Sequence, residues 1–396
     1  MNVNPIGWAS AALRLLARLD SDGVNSITPV TEINGGAISA TNADIALVAK
    51  GTGATLAQVP DGTIAGGNKR GTGATDWQKV RDSSTQVASG INATIAGGSF
   101  NTASGAANFA PTVGGGERNS AGASYATVAG GTSNTASGLY SFVGSGASNT
   151  ASSNYSFVGG GQNNTAQTTP HATVCGGSGN TASGQLGFIG SGASNAASGS
   201  TATVCGGNTN TASATGSTVC GGRQNTANGD HSFVGGGRRG TTRSIAGYQV
   251  FPACDVPIAD ALGISQSALL LLGRQTTDAT ATVLTSNTSA ATTTNQVILP
   301  NNSAYFFKGS VIATVTGGGD TAAWEFKGAI KRGATAGSTA IVGTVVKDVI
   351  AYNTGASTWN VTFTADTTNG GLKIEVTGAA ATIRWVAKVE TTEVTY

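Results

Sequence analysis

Ala126–Tyr140, ATVAGGTSNTASGLY, runs without a break into Ser141–Tyr155, SFVGSGASNTASSNY, and then into Ser156–Gln167, SFVGGGQNNTAQ. Each copy has a β-branched residue, a run of small residues, then an asparagine. Aligned on the β-branched residue, the chain has anchors at Ile95, Val113, Val128, Val143, Val158, Val174, Ile189, Val204, Val219 and Val234. Their spacings are 18, 15, 15, 15, 16, 15, 15, 15 and 15 residues. An asparagine follows six residues after every anchor but the last, from Asn101 to Asn225, and an outlying cycle opens at Ile64. A period this regular is the mark of a repeat architecture.

Gly, Ser, Thr, Asn and Val make a poor helix but suit short strands joined by tight turns. At about 3.3 Å per extended residue, one cycle traces a loop of at most about 50 Å, and stacked coils rise about 4.8 Å each. The expected fold is all-β, with a solenoid or β-roll over residues 91–240. One coil is too narrow for a large core, so only the anchor and small neighbours can point inward.

The residues flanking the anchor lie on the opposite strand face. Where the one before is Phe (Phe142, Phe157, Phe188, Phe233), the one after is Gly. Where it is Thr, the one after is Ala or Cys, as at Cys175, Cys205 and Cys220; Thr112/Gly114 is the exception. Constant volume is a rule of close packing, not of solvent. These seven Phe and Cys residues are therefore expected to pack against other copies, and a closed homotrimer is the simplest way to bury them.

The phrase TVAGGTSNTASG (Thr127–Gly138) resembles the head repeat of trimeric autotransporter adhesins and the related repeats of bacteriophage tail fibres. It departs from the adhesin pattern where an Ile is replaced by Gly130, Ser145 or Gly160. Ala46–Gln78 is similar to the N-terminal region of phage tail proteins. Leu269–Thr285, Ile298–Gly309 and Ala322–Gly333 resemble a C-terminal module of such proteins. The resemblance implies virion attachment through residues 1–90, to a tail or baseplate protein, and host contact toward the C-terminus. A bacterial surface adhesin is the alternative; the secretion signal and C-terminal membrane barrel it would need are not apparent.

Trp8–Leu19 has the apolar spacing of a short helix, interrupted by Arg14 and Arg18, and no stretch reaches the roughly 18 apolar residues of a membrane span. Residues 241–267 read as an irregular neck. From residue 268 to 396 the period changes to two: Trp324, Phe326 and Ile330 alternate with Glu325, Lys327 and Lys331. Eight or nine half-buried antiparallel strands are expected, forming a β-sandwich of jelly-roll type as the receptor-binding tip. The same alternation turns Trp324, Trp359 and Trp385 inward. Phe306 and Tyr352 are left for surface contact, and the Asn301-Asn302 turn offers amides suited to sugar hydroxyls.

Only 10% of residues are charged, 21 basic against 19 acidic, which leaves no basic footprint for nucleic acid. Four Cys without a CxxC pair argue against a disulfide framework or zinc, and His171 and His231 stand alone on their coils, so no metal or cofactor is expected. Cys205 and Cys220 fall at equivalent positions of adjacent cycles. Glycan hydrolysis needs two carboxyls roughly 5–9.5 Å apart. Within 91–237 the only acids are Glu117 and Asp230, far apart in the repeat, and Glu325, Asp348, Asp366 and Glu375 lie on strand faces or turns typical of solvated charge, so the chain is expected not to be an enzyme. A polysaccharide-degrading spike ranks third. The leading expectation is a virion tail fibre that binds a surface glycan of lipopolysaccharide type without cleaving it.

Overall fold

The computed structural model describes residues 17–19, 25–27, 54–104, 109–252 and 258–396. They fall into two compact units, Met1–Ala136 and Ser137–Tyr396. Among the described residues every element is a strand except two single 3-10 turns, Ala336–Ser338 and Thr354–Ala356. The N-terminal helix is corrected at its end: Ala17–Leu19 is a strand, antiparallel to Asn25–Ile27. Asp20, Ser21, Asp22 and Gly23, next in the sequence, are poor helix formers, which disfavours extending a helix this far. Residues 8–16 lie outside the described residues.

In the first unit, Thr55–Leu56, Thr75–Asp76, Thr94–Ile95, Thr112–Val113 and Thr127–Val128 stack as parallel two-residue strands in register. Thr102–Ala103, Ser120–Ala121 and Thr135–Ala136 form a second column. A coil is thus two short strands and two turns. Ile95, Val113, Val128 and the alanines of the second column are fully buried. One anchor slot breaks the apolar rule: Asp76 sits opposite Ile95 and is fully buried. It is held by Arg70 at 2.8 Å and Arg81 at 3.2 Å, both also buried. An unpaired carboxylate there would be very costly, and two guanidiniums offset that. The pattern of anchors gives no hint of this cluster.

The second unit has its own column of parallel strands, Phe142–Val143, Phe157–Val158, Thr173–Val174, Phe188–Ile189, Thr203–Val204, Thr218–Val219 and Phe233–Val234. The 16-residue cycle absorbs its extra residue in the turn at Thr168–Pro170, where Thr168 has φ 74°, and Phe157 still pairs with Thr173.

The asparagines hold the coils together, and each is buried to within 1%. Asn164 is representative. Its Nδ2 donates to Gly160 O (2.8 Å) in its own coil and Gly177 O (2.7 Å) in the next, while its Oδ1 accepts the Asn180 backbone N–H at 3.0 Å. The amides therefore bond mainly to backbone; one link, Asn180 Nδ2 to Asn164 Oδ1, joins side chains at 3.1 Å. Gln78 starts the ladder in the first unit by accepting the Asn101 N–H at 2.8 Å. The residue before each asparagine is left-handed, with φ between 54° (Arg118) and 66° (Gly179).

Glycine after the strand has an intrachain cause. A Cβ at Gly144, Gly159 or Gly190 would collide with the carbonyl of the facing residue in the next coil, and so would one at Gly114. The volume rule did not explain Gly114; close backbone approach does. The preceding rings lean on these glycines, with Phe157 about 3.4 Å from where a Gly159 Cβ would stand.

The expected neck carries a strand, β1 (Gln249–Pro252), which adds in parallel to Phe233–Val234. Beyond it come β2 (Ser265–Thr276), β3 (Thr282–Val283), β4 (Val297–Ile298), β5 (Ser303–Val315), β6 (Thr321–Arg332), β7 (Ala340–Tyr352), β8 (Asn360–Asp366), β9 (Gly371–Thr377) and β10 (Ile383–Thr395). The larger antiparallel sheet has the order β2-β10-β5-β6-β7, with β1 on the free side of β2. In the smaller one, β9 pairs with β8 along one edge and with β3 and β4 along the other. Their apolar faces meet: Phe326 lies against Phe363 (centroids 4.5 Å), and Trp385 packs against both Trp324 (5.8 Å) and Trp359 (5.6 Å). All three Trp side chains are core, as the alternation expects.

One polar knot ties the last coil to the large sheet. Glu393 on β10, fully buried, pairs with Arg243 at 3.0 Å and accepts from Tyr248 and from Gln266 Nε2 (2.8 Å). Burial first, then the Glu393 charge, pushes the Tyr248 hydroxyl well above the usual tyrosine range, so it stays a donor.

Candidate functional site

The sequence singles out two surfaces, the Phe/Cys column and the tip. In the single chain the column is open: Phe157 and Phe188 are each 38% exposed, and Cys175, Cys205 and Cys220 are exposed thiols. The rings of Phe142 and Phe157 stack at 5.4 Å, and Phe233 reaches Phe251 of β1 at 6.2 Å. Burial, then neighbouring Cys205, raises the Cys220 thiol above its ordinary range. A second line of exposed side chains, two residues earlier in each cycle, includes Tyr155, which stacks on His171 at 4.9 Å. Among the described residues no three His, Cys, Asp or Glu gather in metal-binding geometry.

The four tip residues do not form one site. Asn301 and Asn302 stand exposed in the turn before β5, and Asn302 is left-handed at φ 57°. The backbone of that turn is already bonded, Asn302 N–H to Gly333 O and Tyr396 N–H to Asn302 O, both at 2.9 Å. Beside that turn, Asn302, Lys331, Arg332, Ser338 and Tyr396 line an open depression. Arg332 is anchored by Nη1 on Leu299 O at 2.6 Å, while its Nε is buried without a partner.

Phe306 lies farther along β5 on the outer face of the large sheet, 47% exposed. Tyr352 ends β7 opposite Ala322, which itself faces Ala313. Seven residues of β5 therefore separate its level from Phe306, about 23 Å.

Sequence reasoning missed the middle of that outer face. Two rows of cross-strand neighbours run over it: Glu390, Lys308 and Lys327, then Lys388, Ser310, Glu325 and Asp348. Together they line a shallow groove. Glu390 is paired with Lys308 at 3.2 Å and Lys388 at 2.7 Å, and these lysines hold its carboxyl below the usual glutamate range. Glu325 sits directly opposite Asp348, on neighbouring strands. Side chains so placed start about 5 Å apart. Strand alternation could place each acid outward; only the pairing of β6 with β7 brings them together.

No protein-family model matches the sequence, and no curated protein aligns with it. Three solved structures align along most of its length. Tailspike gp49 of Acinetobacter baumannii bacteriophage Fri1, a capsular polysaccharide depolymerase, shares 8% identity over 82% of this chain and 64% of its own, with a TM-score of 0.21. The Acinetobacter phage vB_ApiP_P1 tailspike gives 7%, 84%, 73% and 0.20. The Acinetobacter baumannii phage AM24 tailspike gives 9%, 82%, 59% and 0.18. The chain thus spans less than two thirds of the first and third of these proteins. At such TM-scores neither a site nor a chemistry carries over. The expectation that the chain is not an enzyme is nevertheless corrected: gp49 is a depolymerase. Glu325 and Asp348, expected from the sequence to be solvated charge on strand faces, stand directly opposite each other.

Proposed function

We propose that this chain is a receptor-binding spike or fibre of a phage tail, a virion component that attaches the particle to a host surface glycan. Residues 1–90 would dock on the tail or baseplate, the solenoid over 91–240 would serve as shaft, and 268–396, read as a β-sandwich, would form the tip. Three copies would wind together through Phe142, Phe157, Phe188, Phe233, Cys175, Cys205 and Cys220. Three weak tip sites then act jointly through multivalency. The observation that carries this reading is the exposed apolar column along the coils, which water alone does not favour.

At the tip, Asn301 and Asn302 would bond sugar hydroxyls, since both are exposed and the Asn302 backbone N–H and carbonyl are already bonded. The test is binding of the full chain to whole cells and to an envelope-glycan array. Binding lost about tenfold in the N301A/N302A double variant supports it. Unchanged binding sinks the assignment of that turn, and no binding to any envelope glycan sinks the glycan reading. Detection of the chain in purified virions separates a tail protein from a bacterial surface adhesin.

A second reading, cleavage of the glycan, is favoured by Glu325 facing Asp348 in the groove. Their Cβ atoms start about 5 Å apart, a placement from which the two carboxyls can reach the roughly 5–5.5 Å spacing of a retaining glycosidase. New reducing ends released by the wild-type chain but not by E325Q or D348N would support it. Release unaffected by both variants would place the chemistry elsewhere.

A further inference from the structure

The inner face of the large sheet is closed by its own core, but its outer face and one edge are not. Leu271 (53% exposed), Val386 (47%) and Ile312 (54%) cluster on β2, β10 and β5; Val386 lies directly opposite Ile312. At the other end of the face, Phe306 and Phe251 stand on one cross-strand row through Thr392 and Ser267. Phe251 is also the ring that meets Phe233, so the apolar column of the coils runs on into this face.

Strand β7 is the second anomaly. It pairs only with β6, and among the described residues its outer edge has no strand partner. Val342, Val346, Val349, Ile350 and Tyr352 are each 45–60% exposed. Edge strands are ordinarily blunted by charge or proline, because an open apolar edge invites another chain. Thirteen residues of β7 extend about 43 Å, and a strip about 10 Å wide along it covers roughly 430 Å². Each such contact would bury about 430 Å² on each partner, about half of the roughly 800 Å² per partner of a stable interface, so it adds to the apolar column of the coils and does not hold the copies together alone.

The charges divide to match. Around the apolar face, Lys308, Lys388 and Glu390 sum to +1; in the outward rows beside the open edge, Glu325, Asp348 and Lys327 sum to −1, while Lys347 of β7 is bonded to Asn360 Oδ1 and Val361 O. The three near the edge make no ion pair among the described residues.

We propose that β7 of one copy covers the β2-β10-β5 face of the next, a head-to-tail contact that closes into a ring of three. This rests on the homotrimer reading above. It moves Phe306 and Tyr352 from the receptor to the contact between copies. It also sets Glu325 and Asp348 against lysines of the neighbour, the opposite of the cleavage reading, and leaves the glycan to the Asn301-Asn302 end.

The test uses the full chain with a photo-crosslinking benzoylphenylalanine at Val346, and in a second preparation at Val349, both on exposed side chains. Equal parts of ¹⁵N-labelled and unlabelled chain are mixed before assembly, the mass is measured by sedimentation, and crosslinked peptides are mapped. A trimer with mixed-label links from β7 to peptides holding Leu271, Ile312 or Val386, reduced at least tenfold by I312D, supports the proposal. A trimer that links only within one chain, or β7 to β7, overturns it and leaves the homotrimer standing. A monomer overturns both.

Discussion

The coil stack and the terminal sheets are both β-structure, yet they solve the same problem in opposite ways. In the coils, strands of two residues pair with the next cycle, and a polar side chain bonds the backbone at the heart of each turn. In the terminal sheets, strands of 12 or 13 residues pair across long stretches of chain, as β2 does with β10, and large aromatics fill the gap. A narrow coil lacks volume for rings, so hydrogen bonding takes over the specification that packing supplies elsewhere. Cohesion in the first region is therefore local and polar, and in the second distant and apolar.

That contrast can be broken most severely at the asparagine ladder. Replacing Asn164 by Ala leaves the Gly160 carbonyl and the buried Asn180 N–H without this partner, while the Gly177 carbonyl keeps the Gln162 N–H. At about 1–3 kcal/mol for each of these two groups, we expect a loss of about 2–6 kcal/mol, confined to the coils. Hydrogen exchange by peptide should show lost protection around residues 145–195, with tryptophan fluorescence from Trp324, Trp359 and Trp385 unchanged. Uniform loss in both regions would mean that they unfold as one.

The knot at Glu393 comes next. Glu393→Ala leaves the buried Arg243 uncompensated, for about 3–5 kcal/mol, and this should loosen the last coil and β10 together. Tyr248 adds a pH signature. Its ionisation is disfavoured in the folded chain, so its contribution is complete below about pH 10 and drains away as pH rises beyond that. Alkaline melts should steepen above pH 10 for the wild type, less so for Tyr248→Phe. Identical steepening would remove Tyr248 as the cause.

Gly159→Ala should be milder, about 2 kcal/mol, because the coils must part slightly to admit a methyl against the Cys175 carbonyl. An unshifted denaturation midpoint would show the coils to be more compliant than the geometry implies.

Smallest is the acid limb of the terminal sheets. Burial raises the Asp366 carboxyl, but hydrogen bonds from Asn369, Gln296 and Thr368 outweigh it, and the net shift is downward. Its contribution is whole above the ordinary aspartate range near pH 4 and fades as pH drops through the folded value. The wild-type melting temperature should fall by a few degrees below pH 4, with Asp366→Asn flatter over the same range. Parallel curves would assign the acid limb to other carboxylates.

The coils were the more legible region. Val158 and Asn164 recur at fixed spacing, and the repeat that marks them in the sequence is the repeat that stacks them. The asparagines' bonding was only half visible, since sequence suggests an amide-to-amide ladder while Gly160 and Gly177 take the donors. Asp76 was not legible: its carboxyl is tolerated in an anchor slot only because two arginines fold back upon it. In the terminal sheets, alternation placed Trp324 and Trp385 inward but carried no information on strand order. For that reason the meeting of Glu325 with Asp348, and the distance between Phe306 and Tyr352, emerged only from the pairing of β5, β6 and β7.

The 16-residue cycle at Thr168–Pro170 has a bearing on how such a chain can change. A surplus residue is swallowed by a corner while the hydrogen-bonded columns on either side stay aligned. Gain or loss of a whole cycle should be easier still, because every coil offers its neighbour the same set of donors and acceptors. Reach thus becomes a quantity that duplication can adjust in steps of about 4.8 Å, with no rewriting of what stands at either end.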